Sequence, residues 1–262
     1  MRLFDTHAHY DDPKFRNDFP GGTDEAIKKS REAGVERIIC AGTRPETNLS
    51  TIELAKKYDL IYSAVGIHPS DIRFYGPEKD DILLSETEKL LNHPKVVAVG
   101  EIGLDYHYEG TDRDRQKYFF DSQMKIAEKY SLPVVIHDRD AHGDSFDIVR
   151  NNPKVNGVFH CYSGSTEMAK QLVGMGYFIS FGGTVTFKNA KTVKEVAALV
   201  PDDMILIETD APYLAPSPHR GEINFSGLLP LVVETLAQIR NVSPERIAEL
   251  TFENAKRLFR IE

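Results

Sequence analysis

The sequence predicts an α/β fold, namely a (β/α)8 TIM barrel with additional C-terminal helices. Three observations support it. Short apolar, β-branched segments alternate with longer amphipathic segments; there are eight such apolar segments; and 262 residues is close to the size of about 250 that is typical of this barrel. A doubly wound open sheet is the alternative, but it needs polar edge strands, and none of the eight is polar enough. With no linker or repeat, we predict one domain over residues 1–262.

The eight predicted strands are near-continuous apolar runs, as expected for parallel strands covered on both faces. They are RLFDTH (2–7), ERIICAG (36–42), LIYSAVGIH (60–68), VVAVGEIG (96–103), LPVVIHD (132–138), NGVFHCY (156–162), YFISFGG (177–183) and MILIETD (204–210). Helical periodicity is clearest over 24–34, 113–130 and 165–176. A further helical pair, 228–240 and 244–259, follows the eighth strand.

Composition limits the class of protein. Hydrophobic residues make up 41% and charged residues 27%, which is typical of a folded domain, and no run approaches the roughly 18 apolar residues of a membrane span. Two cysteines are too few for a disulfide framework, and the N-terminus does not resemble a secretion signal, so we expect a cytoplasmic protein with no membrane association. The net charge of −8 argues against a nonspecific nucleic-acid coat. It does not exclude an enzyme acting on nucleic acid, because bound divalent cations can reverse the potential locally.

Metal-binding residue types recur at the ends of the predicted strands. Six different strands end in His7, His68, Glu101, His137, His160 and Asp210. In a parallel barrel all these ends emerge on one face, where the active sites of this fold are built. Core packing alone rarely produces such a set, so the sequence predicts a metal site on this face.

The spacing of His7 and His9 adds to this evidence. Residues two apart on a strand project to the same face, so the two imidazoles form a chelating pair that suits Zn, Ni, Mn or Fe. An isolated H-x-H is more often two surface histidines in a loop. The donors at other strand ends favour ligands here.

Carboxylates supply the remaining chemistry. An unpaired Glu101 within an apolar strand would cost several kcal/mol, so it needs a cation, either a bridged metal or a structural salt bridge. As members of the set, His137 and His160 are candidates for a second metal. Asp210 is a candidate ligand that also accepts a proton from the attacking water. Glu208, one layer deeper, is predicted to support a ligand.

Several residues are candidates for contacts to substrate. Arg139, two residues after His137, can pair bidentately with phosphate oxygens, although it also suits a solvated start of the next helix. His68 and Arg220 are further phosphate candidates. Tyr162 precedes a predicted helix, whose N-terminus favours anions.

These residues fall within motifs that span the chain. They are D-T-H-A-H (5–9), G-I-H-P (66–69), G-E-I-G-L-D-Y (100–106), Q-x-x-x-F-x-x-Q (116–123), P-V-V-I-H-D-R (133–139), H-C-Y-S-G (160–164), E-T-D-A-P-Y (208–213) and N-A-x-R-L-F (254–259). In these motifs the chain resembles the TatD-type deoxyribonucleases, metal-dependent hydrolases of the amidohydrolase-like class.

The resemblance implies two divalent metal ions per subunit. His7, His9, Glu101 and Asp210 would hold one ion, and Glu101, His137 and His160 the other, with Asp210 and Glu101 as the catalytic carboxylates. It implies Mg²⁺ or Mn²⁺ in activity, with Zn or Ni possible in crystals. The implied function is a two-metal-ion deoxyribonuclease, a 3′–5′ exonuclease preferring single strands, whose partner is DNA. We expect a monomer.

The segment after the eighth strand departs from the family pattern. The family commonly has R-G-K-x-N-x-P, whereas residues 220–226 are R-G-E-I-N-F-S. Glu222 replaces the basic residue and Ser226 the proline, while Asn224 remains and is a candidate substrate contact. All the predicted metal ligands are present, so we expect this departure to affect substrate binding.

Two other functions compete with a nuclease. One is an amidohydrolase-type hydrolase acting on a small amide, lactone or ester; Arg139 and Arg220 favour phosphate instead, and no predicted strand end carries the lysine that a carboxylated-lysine bridge requires. The other is a non-catalytic, metal-holding nucleic-acid-binding protein, against which the intact Asp210 and the complete ligand set argue.

Overall fold

The computed structural model describes residues 1–262 and confirms the TIM barrel, with eight parallel strands paired in chain order. The strands are β1 (Leu3–Ala8), β2 (Val35–Ala41), β3 (Ile61–Val65), β4 (Val96–Asp105), β5 (Val134–Arg139), β6 (Gly157–Phe159), β7 (Phe178–Phe181) and β8 (Ile205–Ile207). The helices are α1 (Pro13–Asn17), α2 (Gly22–Glu32), α3 (Pro45–Lys57), α4 (Asp80–Leu90), α5 (Arg113–Tyr130), α6 (His142–Asn151), α7 (Thr166–Gly174), α8 (Lys191–Leu199), α9 (Leu229–Arg240) and α10 (Pro244–Phe259).

The inside of the barrel is filled by one apolar cluster. It includes a side chain from every strand: Phe4, Ile39, Ala64, Ala98, Val135, Val158, Phe178 and Leu206. Alternate residues of the same strands belong to a second cluster that includes apolar side chains of the surrounding helices, such as Met124 of α5 and Leu172 of α7, so the first cluster faces the inside of the barrel. Phe252, Leu258 and Phe259 of α10 belong to the same cluster, so α10 closes the end of the barrel opposite the carboxyl ends of the strands. The open end is left to polar residues.

The first and last strands meet through a few specific bonds. The hydroxyl of Thr6 donates to the carbonyl of Ile207 at 2.9 Å, and the amide of Asp210 donates to the carbonyl of His7 at 2.9 Å. Because the second bond joins two predicted metal ligands, closure of the barrel also assembles the site.

Local signals set the helix boundaries. Asp112 accepts a hydrogen bond from the amide of Arg115 and caps α5, while Ser243 does the same for Arg246 in α10. Asn241, in a left-handed conformation, ends α9. No helix combines the length and apolar character needed to cross a membrane.

Three strands end three residues earlier than predicted. β3, β6 and β8 stop at Val65, Phe159 and Ile207. His68, His160 and Asp210 therefore lie in the loops just beyond their strands rather than at the strand ends themselves.

Candidate metal centre

Alternation along two strands carries the inner face of the barrel into the site. Val135 and Val158 belong to the inner cluster, and His137 and His160 follow each by two residues. Because residues two apart share a face, both imidazoles point into the open end of the barrel.

On β1 and β4, an irregularity in strand pairing places a site residue on the inner face of the barrel. His7 and Glu101 lie three residues after the inner residues Phe4 and Ala98, so regular alternation would turn them towards the helices. The pairing of each strand shifts register around this residue. The shift returns both side chains to the inside.

The first donor group consists of His7, His9, Glu101 and Asp210. The Nε2 atoms of the two histidines lie 3.1 Å apart, and each lies 3.4 Å from Glu101 Oε2. Both are 3.6 Å from Asp210 Oδ1. Four donor atoms therefore face a common point, and the pair predicted from H-x-H converges as expected.

The second donor group uses the other oxygen of Glu101. Oε1 lies 3.0 Å from Nδ1 of His137 and 2.9 Å from Nε2 of His160, and these two nitrogens are 3.2 Å apart. His68, predicted as a phosphate contact, lies with its Nε2 3.4 Å from the same oxygen. The structure thus places His68 with the candidate donors of the second group.

These separations fit metal ligands. Bonds of about 2.0–2.2 Å in tetrahedral or octahedral geometry place ligand atoms roughly 3.0–3.5 Å apart. Across the two donor groups the distances run from 2.9 to 3.6 Å. Glu101, 3% exposed, directs one oxygen into each group, which suits a carboxylate that bridges two cations.

Hydrogen bonds behind the donors orient the rings. Nδ1 of His9 lies 2.9 Å from the carbonyl of Ala41, so this nitrogen carries the proton and Nε2 is free to bind metal. Nδ1 of His160 lies 3.3 Å from Oε1 of Glu208, which is fully buried and also accepts the amide of Cys161 at 2.7 Å. Glu208 therefore lies behind the ring of His160, which is the position expected of a residue that supports a ligand.

Asp105 has the same relation to His137, and the sequence reasoning missed it. Its Oδ2 lies 3.3 Å from Nε2 of His137, opposite the nitrogen that faces Glu101. The signal was present, because Asp105 lies four residues after Glu101 in β4 and so shares its face. Gly103 between them has φ +136°, and a Cβ there would lie 1.9 Å from the carbonyl oxygen of His137. Glycine lets β4 and β5 approach this closely.

Attraction between neighbouring carboxylates and histidines favours the charged forms of several donor residues. Burial would raise the pKa of Glu101, but the charge on the surrounding histidines holds it well below its usual range. Burial would lower the pKa of His9, but the carboxylates of Asp210 and Glu101 raise it to about 9. The pKa values of His137 and His160 are also raised by the neighbouring carboxylates, so without metal the protons on these three histidines supply positive charge to the site.

Asn224 positions the loop that carries Asp210. Asp210 is left-handed, with φ 56°, and its neighbours are tied down by the Nδ2 of Asn224, which donates to the carbonyls of Thr209 and Tyr213, both at 2.7 Å. Asn224 is fully buried. Its prediction as a substrate contact was wrong, because its side chain faces the backbone of this loop.

Ser226, the departure from the family pattern, is also fully buried. Its hydroxyl donates to Oδ2 of Asp5 at 2.6 Å and accepts from the hydroxyl of Tyr10 at 2.9 Å. Asp5 in turn accepts the amide and hydroxyl of Thr209 at 2.9 and 2.6 Å. Ser226 therefore belongs to a hydrogen-bond network that joins β1 to the segment after β8. At this position the departure from the family pattern does not affect a substrate contact.

The other predicted substrate contacts differ in accessibility. Arg139 is exposed at the end of β5, with its guanidinium 5.6 Å from the ring centre of Tyr108. Arg220 is exposed and lies over Phe187 at 3.8 Å. Tyr162 is buried, and its hydroxyl donates to the carbonyl of Ser165 at 2.7 Å, so it is committed inside its own loop.

Comparison with known proteins agrees with this geometry. The family model "TatD related DNase" matches residues 4–260. The chain is 42% identical to the uncharacterized metal-dependent hydrolase YabD of Bacillus subtilis (99% of each chain covered) and 33% identical to YcfH of Escherichia coli K12 (100% and 97% covered). The crystal structure of YjjV, a TatD homolog from Escherichia coli K12, superposes with a TM-score of 0.92 at 32% identity, covering 100% of this chain and 99% of that one.

Proposed function

The chain belongs to the TatD family of metal-dependent hydrolases, and from this premise we propose that it hydrolyses phosphodiester bonds in DNA with two divalent cations. We propose further that it removes nucleotides from the 3′ end of single strands. Mg²⁺ or Mn²⁺ would serve in activity.

One observation supports the two-cation proposal more than any other. The two oxygens of Glu101 face different donor groups, with His9 3.4 Å from Oε2 and His160 2.9 Å from Oε1. A purely structural carboxylate needs one partner, whereas this one is surrounded by histidines on both sides. Paired cations when bound lower the pKa of water and stabilise both the attacking and the leaving oxygen of a displacement at phosphorus.

The residues of the chain would divide the remaining work. Asp210, a donor with the proton affinity of a carboxylate, accepts the proton of the attacking water. Arg139 is exposed two residues beyond His137 and is free to pair with a phosphate oxygen. Glu208 and Asp105 hold His160 and His137 in the required orientation.

A cleavage assay tests the proposal. Single- and double-stranded DNA and RNA, labelled at the 5′ or the 3′ end, are incubated with Mg²⁺, Mn²⁺ or EDTA. We expect metal-dependent shortening of single-stranded DNA from the 3′ end, and none with EDTA. Asp210→Asn should lower kcat by at least about a hundredfold, because the proton acceptor is lost.

Asp147→Asn is the matched control, since Asp147 is exposed on α6 and pairs only with Arg150. Its activity should equal that of the wild type. Hydrolysis of a carboxylic ester or lactone without cleavage of any nucleic acid would favour the amidohydrolase-type alternative. Metal-dependent DNA binding without cleavage would favour a non-catalytic protein.

A further inference from the structure

Exposed aromatic rings are concentrated near the donor groups. Four aromatic side chains are more than 40% exposed: Phe74 (57%), Tyr108 (51%), Tyr118 (45%) and Tyr213 (42%). All except Tyr118 lie in loops that follow strands, at the end of the barrel where the donors lie. Tyr118 lies on α5, and its hydroxyl donates to Asp81. Single exposed rings are ordinary, but a concentration at one functional face indicates a binding surface.

Tyr213 adjoins the first donor group. Its ring centre lies 6.3 Å from that of His9, and its amide donates to the carbonyl of Asp210 at 2.8 Å. The hydroxyl donates to Oδ2 of Asp12 at 2.6 Å, and Nζ of Lys14 lies 4.5 Å from the ring centre. Tyr213 is therefore held by its backbone and its hydroxyl, remains 42% exposed and has a cation next to its ring.

Tyr108 lies in the loop that follows β4, the strand that carries Glu101 and Asp105. It follows Asp105, the partner of His137, by three residues, and the guanidinium of Arg139 lies 5.6 Å from its ring centre. The ring of His107 meets it edge-on at 5.3 Å. Each of these two exposed tyrosines thus lies within three residues of Asp210 or Asp105 in the chain and has one cation beside its ring.

Such pairs suit unpaired nucleotides. Bases stack on aromatic rings whatever their sequence, and a nearby Lys or Arg attracts the phosphates of the same strand. In a duplex each base already stacks on its neighbours and is held by its partner, so it can use a protein ring only after being extruded. Because the net charge of the protein is −8, a nucleic-acid strand would be attracted by the local cations beside the site rather than by the electrostatic field of the whole protein.

We propose that Tyr213 and Tyr108 stack on the nucleobases on the two sides of the scissile phosphodiester, and that this stacking selects unpaired strands. The inference rests on the proposed function and deepens it by assigning the residues that set strand preference. Lys14 and Arg139 hold the phosphates next to the stacked bases.

The test compares ring-removing variants on intact and base-deleted strands. The substrates are a single-stranded oligonucleotide and two versions with one abasic site, on either side of the linkage that is cleaved. For Tyr213→Leu and for Tyr108→Leu we expect KM on the intact strand to rise about tenfold with little change in kcat, because one stacked base is lost. Each variant should be insensitive to one of the two abasic sites, since the same contact cannot be removed twice.

Two controls separate stacking from other effects. Tyr118→Leu removes an exposed tyrosine on the outside of the barrel and should leave KM unchanged. Tyr213→Phe keeps the ring but not the hydroxyl bond to Asp12, and should recover most of the loss seen with leucine. Circular dichroism and melting curves establish that each variant is folded.

The outcomes distinguish this inference from the proposed function. Suppose that the wild type cleaves DNA but the increases in KM caused by the leucine substitution and by the abasic site multiply in full. The stacking inference alone is then overturned. It is also overturned if Tyr213→Phe raises KM as much as Tyr213→Leu does. If the wild type cleaves no DNA strand under any metal condition, the proposed function fails and the inference fails with it.

Discussion

Oε1 of Glu208 lies 3.3 Å from Nδ1 of His160, while Nε2 of the same ring lies 2.9 Å from Glu101. The imidazole therefore joins a buried carboxylate to the donor set. Glu208→Gln should lower Mn²⁺ affinity or kcat/KM by about 10- to 100-fold, because the neutral amide no longer fixes the ring or increases its basicity. Calorimetric titration with Mn²⁺ and the DNA cleavage assay measure the two effects. Unchanged affinity and activity in a folded variant would remove Glu208 from the site.

Removing bound metal should lower the free energy of unfolding. Restoring the metal should raise it, and more so the more tightly the metal binds. A ligand at about 100 times its Kd stabilises the native state by about 2.7 kcal/mol. We expect EDTA-treated protein to gain stability of this order with excess Mn²⁺, measured by urea unfolding. Glu101→Gln should lose most of that gain, because both donor groups lose an anionic oxygen. Glu253→Gln, on the exposed face of α10, should keep it.

Metal affinity should rise with pH. Burial opposes a proton on His9, but Asp210 and Glu101 raise its pKa to about 9, so in the metal-free protein this ring is protonated at neutral pH. A cation must displace that proton, and the cost of displacement falls as pH approaches the folded-state pKa. If one proton is displaced, Kd for Mn²⁺ should fall about tenfold for each pH unit between about pH 6 and 8. Calorimetry in two buffers of different ionisation enthalpy measures the proton released.

His93→Asn is the control for the change of Mn²⁺ affinity with pH. Nδ1 of His93 accepts the amide of Lys95 in a turn away from the donors, and asparagine can replace this acceptor. The variant should show the same dependence as the wild type. An affinity that does not vary with pH would contradict the assigned protonation of the site.

Ser226→Ala should lower the free energy of unfolding by about 1–3 kcal/mol, since it removes one of the two hydroxyl partners of the buried Tyr10 hydroxyl and one donor to Asp5. Ser226→Pro should cost more, because the amide of Ser226 also donates to the Tyr10 hydroxyl at 3.0 Å. Ser50→Ala, at an exposed position on α3, should stay within about 0.5 kcal/mol of the wild type. Equal urea midpoints for Ser226→Ala and Ser50→Ala would show that the network contributes little.

Features decided by local chemistry were predictable from the sequence. The predicted helices 113–130 and 244–259 have the same bounds as α5 and α10. Their amphipathic period and the capping residues Asp112 and Ser243 depend only on neighbours along the chain. The convergence of His7 with His9 followed equally from their spacing.

Features decided by packing between distant segments were not predictable. The register shifts that turn His7 and Glu101 inward depend on how β1 and β4 pair with their neighbours. The burial of Asn224 and Ser226 depends on where the segment after β8 folds back, and a polar residue in such a loop resembles a surface residue in sequence. Asp105 was recoverable, because it shares the face of Glu101.

The contacts between β1 and the segment after β8 have a consequence for biosynthesis. Asp5 and Thr209, bonded through two hydrogen bonds, are 204 residues apart. A nascent chain on the ribosome exposes His7 and His9 early but lacks Asp210 until most of the polypeptide has been translated. A product truncated before the eighth strand would keep the histidine donors and Glu101 without the carboxylate of Asp210, so the first donor group is completed only in the last quarter of synthesis.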